Sequence, residues 1–267
     1  MKKELNFGVN FHGSFPPEPE YIARVLAISD GTPRTVSEVS QITGIPQGKS
    51  TGKAKPHLSY AAMMGLINGD LSAPKRTALG ELIYEEDPAC EEPLTQYILH
   101  TRLCSCETSN MWNVFVRDIL LNNHGSVARE YAVMRLTTTF NCSSKSLSPL
   151  LSTYTKQLRA IDYLGESSER VWVNKKQPFN EYLYLYGYEL LREWEASQPG
   201  ESELTLPIVY ALGCAICFGL DDAAWFEVLE RLTEAHIIRL NKQLTPCTVV
   251  ALTTSESLLD KLYSLLL

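Results

Sequence analysis

One stretch limits the folds open to this chain more than any other: Thr35 to Leu79, TVSEVSQITGIPQGKSTGKAKPHLSYAAMMGLINGDLSAPKRTAL. Thr35, with Glu38 three positions on, has the signature of a reciprocal helix cap, and Val36, Val39 and Ile42 fall on one helical face. Gly44 supplies the left-handed residue that ends such a helix. After a polar, Gly-containing loop, the spacing predicts a second helix from about Ala54 to Leu66, with Leu58, Ala61, Ala62 and Leu66 inward. Pro56 fits only near its start. Leu66 to Asp70 then reads as a strand and turn, with Lys75 and Arg76 on the return segment. Helix, turn, helix, hairpin is the order of a winged helix-turn-helix.

Charge supports a polyanion-facing role for that stretch. Gly31 to Leu79 carries six Lys or Arg (Arg34, Lys49, Lys53, Lys55, Lys75, Arg76) against two acids (Glu38, Asp70), a net of +4. The whole chain is −7, so the remainder is −11. Such a balance excludes a protein that coats nucleic acid over its whole surface, and any contact must be local. Lys53, Lys55, His57 and Tyr60 are expected to point outward from the second helix, with Lys75 and Arg76 on the wing. Helix-turn-helix shapes also serve as protein–protein modules, which is the competing reading.

Nucleotide hydrolysis is excluded. Gly44-Ile45-Pro46-Gln47-Gly48-Lys49-Ser50 imitates a phosphate-cradling loop but puts three residues, not four, between its glycines, and it follows a polar helix rather than a buried strand. Cys214-Ala215-Ile216-Cys217 has redox or metal spacing, yet it sits in an apolar run and reads as inert core. Cys104 and Cys106, near His100, form a more polar group without a second pair to complete a zinc site. The five histidines are scattered singly, with no nucleophile–base spacing.

The rest of the chain continues the pattern. Seven cysteines at irregular spacing do not make a disulfide framework, and MKKELNFGVNF lacks the apolar core of a signal peptide. The uncharged run Leu204–Leu220 is broken by Pro207, Gly213 and Gly219, so it reads as buried core rather than a membrane span. These features place the protein in the cytoplasm. Helices are expected from Pro19 to Ser29, Leu94 to Cys104, Met111 to Leu121, Val127 to Leu136, Leu147 to Leu158, Phe179 to Trp194, Trp225 to Thr233 and Leu258 to Leu267. The last is apolar and must dock on the body or on a second copy, giving a homo-oligomer. Ala160 to Val173 and Ile237 to Leu252 each repeat the helix-then-hairpin order of the opening stretch.

Two segments resemble a bacterial family of unassigned function encoded beside DNA phosphorothioate-modification genes, including a phosphoadenylylsulfate-reductase-like enzyme. One runs from Gly44-Ile45-Pro46 through Gly48-Lys49-Ser50-Thr51-Gly52-Lys53 to Pro56-His57 and Met64-Gly65-Leu66-Ile67. The other runs from Leu79-Gly80-Glu81-Leu82-Ile83 through Asp87-Pro88, Thr95 and His100 to Met111-Trp112-Asn113. Phe11-His12-Gly13-Ser14-Phe15 resembles the family's opening, but Gly13 and Ser14 depart from it, so no chemical role passes to His12. The resemblance implies an accessory protein of a DNA-modification or phage-defence system and supplies no activity.

The resulting expectation is a mainly α protein of α+β type. A winged helix-turn-helix domain spans 1–86, and a helical domain with winged-helix-like β-hairpins spans 87–267. Its function is to bind double-stranded DNA without catalysis, cofactor or metal. Lys49, Lys53, Lys55, Lys75 and Arg76 contact phosphates; Gln47, Ser50, Thr51, His57 and Tyr60 lie close by, with Gln47, His57 and Tyr60 near base edges. The alternatives are an adaptor docking a sulfur-transfer or nuclease partner and, last, a thiol enzyme using Cys104 or Cys106.

Overall fold

Helix α1 (Pro19–Ile28) opens on a proline whose fixed φ suits a first helical turn, and it buries Ile22, Val25 and Leu26. In α2 (Val36–Thr43) the expected cap is present: Thr35 Oγ1 accepts from the Glu38 N–H at 3.3 Å, and the Glu38 carboxylate accepts from the Thr35 N–H at 2.7 Å. Gly44, at φ +69°, ends it. In α3 (Ala54–Met63) every residue except Lys55 is buried. Beyond α3 the chain returns through single β-bridges, Ile67 with Arg76 and Asp30 with Lys75. The hairpin expected at Leu66–Arg76 is therefore one bridge wide, held by the Asn68 side chain accepting from the Lys75 N–H at 3.0 Å. The structure, a computed structural model, describes residues 10–48, 52–108, 110–243 and 245–266.

Two helices, α4 (Ala78–Glu86) and α5 (Pro93–Leu103), lead to a second unit with the same order of elements. It comprises α6 (Met111–Asn113, prolonged by a π-helical stretch to Leu120), β1 (Ser126–Ala128) and α7 (Arg129–Phe140). Next come α8 (Ser148–Ser152, prolonged to Gln157), β2 (Leu164–Glu166) and β3 (Arg170–Val173). The third unit runs α9 (Leu183–Ser197), β4 (Glu203–Thr205), α10 (Leu206–Ala211), α11 (Cys214–Cys217), α12 (Asp222–Glu234), β5 (Ile238–Asn241) and β6 (Thr248–Ala251). Both sheets are antiparallel and three-stranded, ordered β1-β3-β2 and β4-β6-β5. In each, the strand that enters the second helix lies beside the last strand. The bridges of the first unit repeat that arrangement in miniature.

The fold is thus mixed α and β, with hairpins where the sequence pattern put them. Two expectations need correction. The helix expected from Val127 starts instead at Arg129, because Ser126–Ala128 is drawn into pairing with β3. The chain end expected as an apolar helix is a 3-10 helix, Glu256–Lys261, followed by turns. It docks on the body: Leu258 and Leu262 are buried, and Tyr263 meets Thr95 Oγ1 at 2.7 Å. One apolar core runs from Ile22 through Trp112 to Tyr263 across all three units. No single described helix is long and apolar enough to cross a membrane.

Candidate nucleic-acid interface

The proposed contact residues of the first unit divide by what the fold does with them. Lys55 and Lys75 are exposed and enter no ion pair among the described residues. Gln47 is exposed on the short bridge to Gly52, and with Phe11, Gly13, Val36 and Lys55 it borders a cleft of about 500 Å³. Lys49, Ser50 and Thr51 lie outside the described residues.

Three expected outward-facing side chains are turned inward or engaged. Residues 10–18 lie across α3, so the helix that would face a duplex has protein on that side. Tyr60 is fully buried; its hydroxyl donates to the Phe15 carbonyl at 2.8 Å, and its ring lies 5.0 Å from Phe11 and 5.7 Å from Trp112. His57 is fully buried too. Its Nε2 accepts from the Glu18 N–H at 3.1 Å, which leaves the proton on Nδ1 to donate to the Lys53 carbonyl at 2.7 Å. Burial pushes the imidazole pKa down to about 4, so the ring is neutral and offers no positive charge to a phosphate. Lys53 pairs with Glu18 at 2.7 Å over the rings of Phe15 and Tyr21.

Arg76 is likewise engaged. It binds Glu81 at 2.7 Å and the Leu26 carbonyl at 2.7 Å, and its guanidinium stacks 4.2 Å from the Tyr84 ring. Arg34 forks onto Asp30 at 2.8 and 3.0 Å, holding that carboxyl well below the usual range. Of the basic island read from Gly31 to Leu79, Arg34, Lys53 and Arg76 are therefore neutralised by acids outside that window, Asp30 and Glu81 at its edges and Glu18 farther back.

Three of the thiols, Cys104, Cys106 and Cys214, are poor nucleophiles as placed, whereas the buried Cys217 has its pKa shifted down by its contact with Cys104. Cys104 and Cys214 are buried, and desolvation drives both pKa values well up. Cys106 is exposed beside Ser197, yet burial of its sulfur and the Glu193 carboxylate push it up to about 11. Among the described residues, no three His, Cys, Asp or Glu converge on a metal position.

Sequence reading passed over another set of exposed cations: Lys145, Lys156 and Arg159, around α8. The signal was present in the sequence, since no Asp or Glu occurs from Tyr131 to Ile161.

Two solved structures share this fold. One is described as a magnesium ion-bound SspB crystal structure and is 14% identical; the other is described as an SspB crystal structure and is 13% identical. Each alignment covers 96% of this chain and 88% of SspB, with a TM-score of 0.76. At that identity the likeness is one of fold. No protein-family model matches the sequence, nor does any curated protein.

Proposed function

We propose that this chain is a DNA-binding accessory component of a phosphorothioation-linked DNA-modification or defence system and that it performs no catalysis. The observation that carries the reading is the fold shared with SspB, a phosphorothioation-system protein, over nearly the whole chain. The family resemblance carried by Gly44–Ile67 and Leu79–Asn113 points the same way from the sequence. The order of helix, strand or bridge, further helices (two in the first unit, three in the third) and a returning hairpin supports the winged helix-turn-helix reading, a shape whose second helix and wing suit a duplex groove and its phosphates.

The test is fluorescence anisotropy of the full chain with plain and phosphorothioate-containing DNA duplexes from 50 to 200 mM salt. The expected result is binding that weakens steeply with salt, at about 0.9 log units of affinity per log unit of salt for each phosphate contact. No measurable binding to either duplex at the lowest salt removes the reading.

The acidic third unit favours a second role, as an adaptor. Helix α12 exposes Glu227, which also meets Arg231, and Glu234 on one face, with Asp222 at its start, acids that repel phosphate and suit a basic protein surface such as that of a sulfur-transfer or nuclease partner. Loss of a purified partner's binding on Glu227→Lys with Glu234→Lys, with DNA affinity retained, separates this role from the first.

A further inference from the structure

The three units contain three topologically equivalent helices: α3, α8 with its extension, and α12, each the last helix before its hairpin. They present very different surfaces. Helix α3 is buried except at Lys55. Helix α12 is exposed at Asp222, Ala223, Glu227 and Glu234. The α8 segment buries Pro149, Leu150, Thr153 and Tyr154 and exposes Ser148, Thr155 and Lys156, with Ser144 and Lys145 exposed before it and Arg159 after it. It lies within the acid-free run Tyr131–Ile161, in a chain that has 31 acids in 267 residues. From Ser126 to Lys176 the second unit holds eight Lys or Arg against four acids (Glu130, Asp162, Glu166, Glu169), a net of +4 within a chain of −7.

Availability separates three cations around α8 from most of the described cations: Arg129, Arg135, Lys175 and Lys176 of the second unit are salt-bridged, and in the first unit only Lys55 and Lys75, which flank no common exposed helix face, are exposed without an ion pair among the described residues. Arg24, Arg34, Lys53 and Arg76 are each held by a carboxylate. Lys145, Lys156 and Arg159 enter no ion pair among the described residues. A phosphate can meet them without displacing an acid.

We propose that the second unit makes the principal duplex contact, with the exposed face of α8 in the groove and Lys145, Lys156 and Arg159 on phosphates. This rests on the DNA-binding reading above and moves its location from the first unit to the second. The dimensions agree. The α-helical half, Ser148–Ser152, alone rises roughly 7.5 Å, and the π-helical half, Thr153–Gln157, lengthens it toward the roughly 12 Å width of a major groove. Cations before and after it are therefore spaced to reach backbone on both sides. The hydroxyls of Ser144, beside Lys145, and Ser148 add neutral donors and acceptors, and Thr155, whose proton goes to the Leu151 carbonyl at 3.1 Å, adds an acceptor.

The experiment compares full-length variants on one labelled DNA duplex by anisotropy across salt, with circular dichroism confirming that each is folded. Lys145→Glu with Lys156→Glu and Arg159→Glu is expected to lose at least about tenfold in affinity, and the matching Gln triple to flatten the salt slope by up to about 2.7. Lys55→Glu with Lys75→Glu is expected to stay within about threefold of the parent. Should the Lys55 and Lys75 variant lose binding as much as the α8 triple or more, the second unit is not the principal contact, while the DNA-binding reading stands. If the parent protein binds no duplex, that reading falls and takes this assignment with it.

Discussion

His100 has no exposure and is gripped at both ring nitrogens: Nε2 meets the Cys217 carbonyl at 2.9 Å, and Nδ1 meets the Tyr154 hydroxyl at 3.0 Å. A carbonyl can only accept, so Nε2 carries the proton and Nδ1 accepts from Tyr154. Burial, with Arg117 as a lesser influence, holds its pKa down at about 3, and burial holds His57 at about 4. In the unfolded chain both rings titrate near 6.5. Below that pH the unfolded state takes up protons that the folded state refuses, so stability falls as pH drops from about 6.5 toward these folded values. Each ring contributes a slope approaching ~1.4 kcal/mol per pH unit. Urea unfolding at pH 7 and pH 5 should show this loss, and His100→Gln, though less stable overall, should lose measurably less between the two. An identical pH dependence in parent and variant would contradict the neutral buried ring.

The same residues show what sequence leaves out. His57, Tyr60 and Lys53 are polar or charged on a helix that looks solvent-facing by composition. Their burial is decided by residues 10–18, whose course no local pattern encodes. The acids that quench the basic island are partly adjacent in sequence, at Asp30 and Glu81, and a wider charge window would have caught those two.

Elements were legible where local chemistry dictated them. The Thr35–Glu38 box, the Gly44 stop and the two hairpins are set by caps, turns and alternation, and all are present. β1 and β4 were not legible, because three residues carry no periodicity. They are extended because β3 and β6 offer them an edge. Packing between elements is equally invisible in sequence, and Gly80 is the sharpest case. A Cβ there would stand 1.9 Å from the Leu66 carbonyl oxygen, so α4 sits directly against the chain leaving α3. Backbone cannot swing aside as a flexible side chain can. Gly80→Ala should therefore cost ~3 kcal/mol, or roughly 6–12 °C in Tm, despite alanine's better helix propensity. A variant that melts at or above the parent temperature would show that the two elements are free to separate.

At the scale of the molecule, the question is whether residues 1–86 behave as a domain apart, as the sequence reading expects. The contacts argue for one cooperative body. Trp112 packs on Tyr60 and Phe11 of the first unit and donates its indole N–H to Thr153 Oγ1 of the second at 3.1 Å. Arg102, 2% exposed, donates to the Met64 carbonyl at 3.1 Å and pairs with Glu107, which also binds Arg192 of the third unit. His100 on α5 reaches α11, and Tyr263 near the chain end reaches Thr95. Opening the first unit alone would strip Tyr60 and Trp112 of each other and take from Arg102, which keeps Glu107, its bond to the Met64 carbonyl, a cost of about 1.5–3 kcal/mol for that charged hydrogen bond alone. With Trp112, which touches the first unit, replaced in a Trp112→Phe variant, the remaining Trp172, Trp194 and Trp225 report on the second and third units by fluorescence, whereas far-UV circular dichroism weighs α1 to α3 as well. If the units are one cooperative body, the two signals must trace the same denaturation curve with a common midpoint. In that variant, a circular-dichroism transition that begins while tryptophan emission is still native would instead mean that the first unit folds and unfolds by itself, and that its contacts with the ring at position 112 and with Arg102 carry little energy.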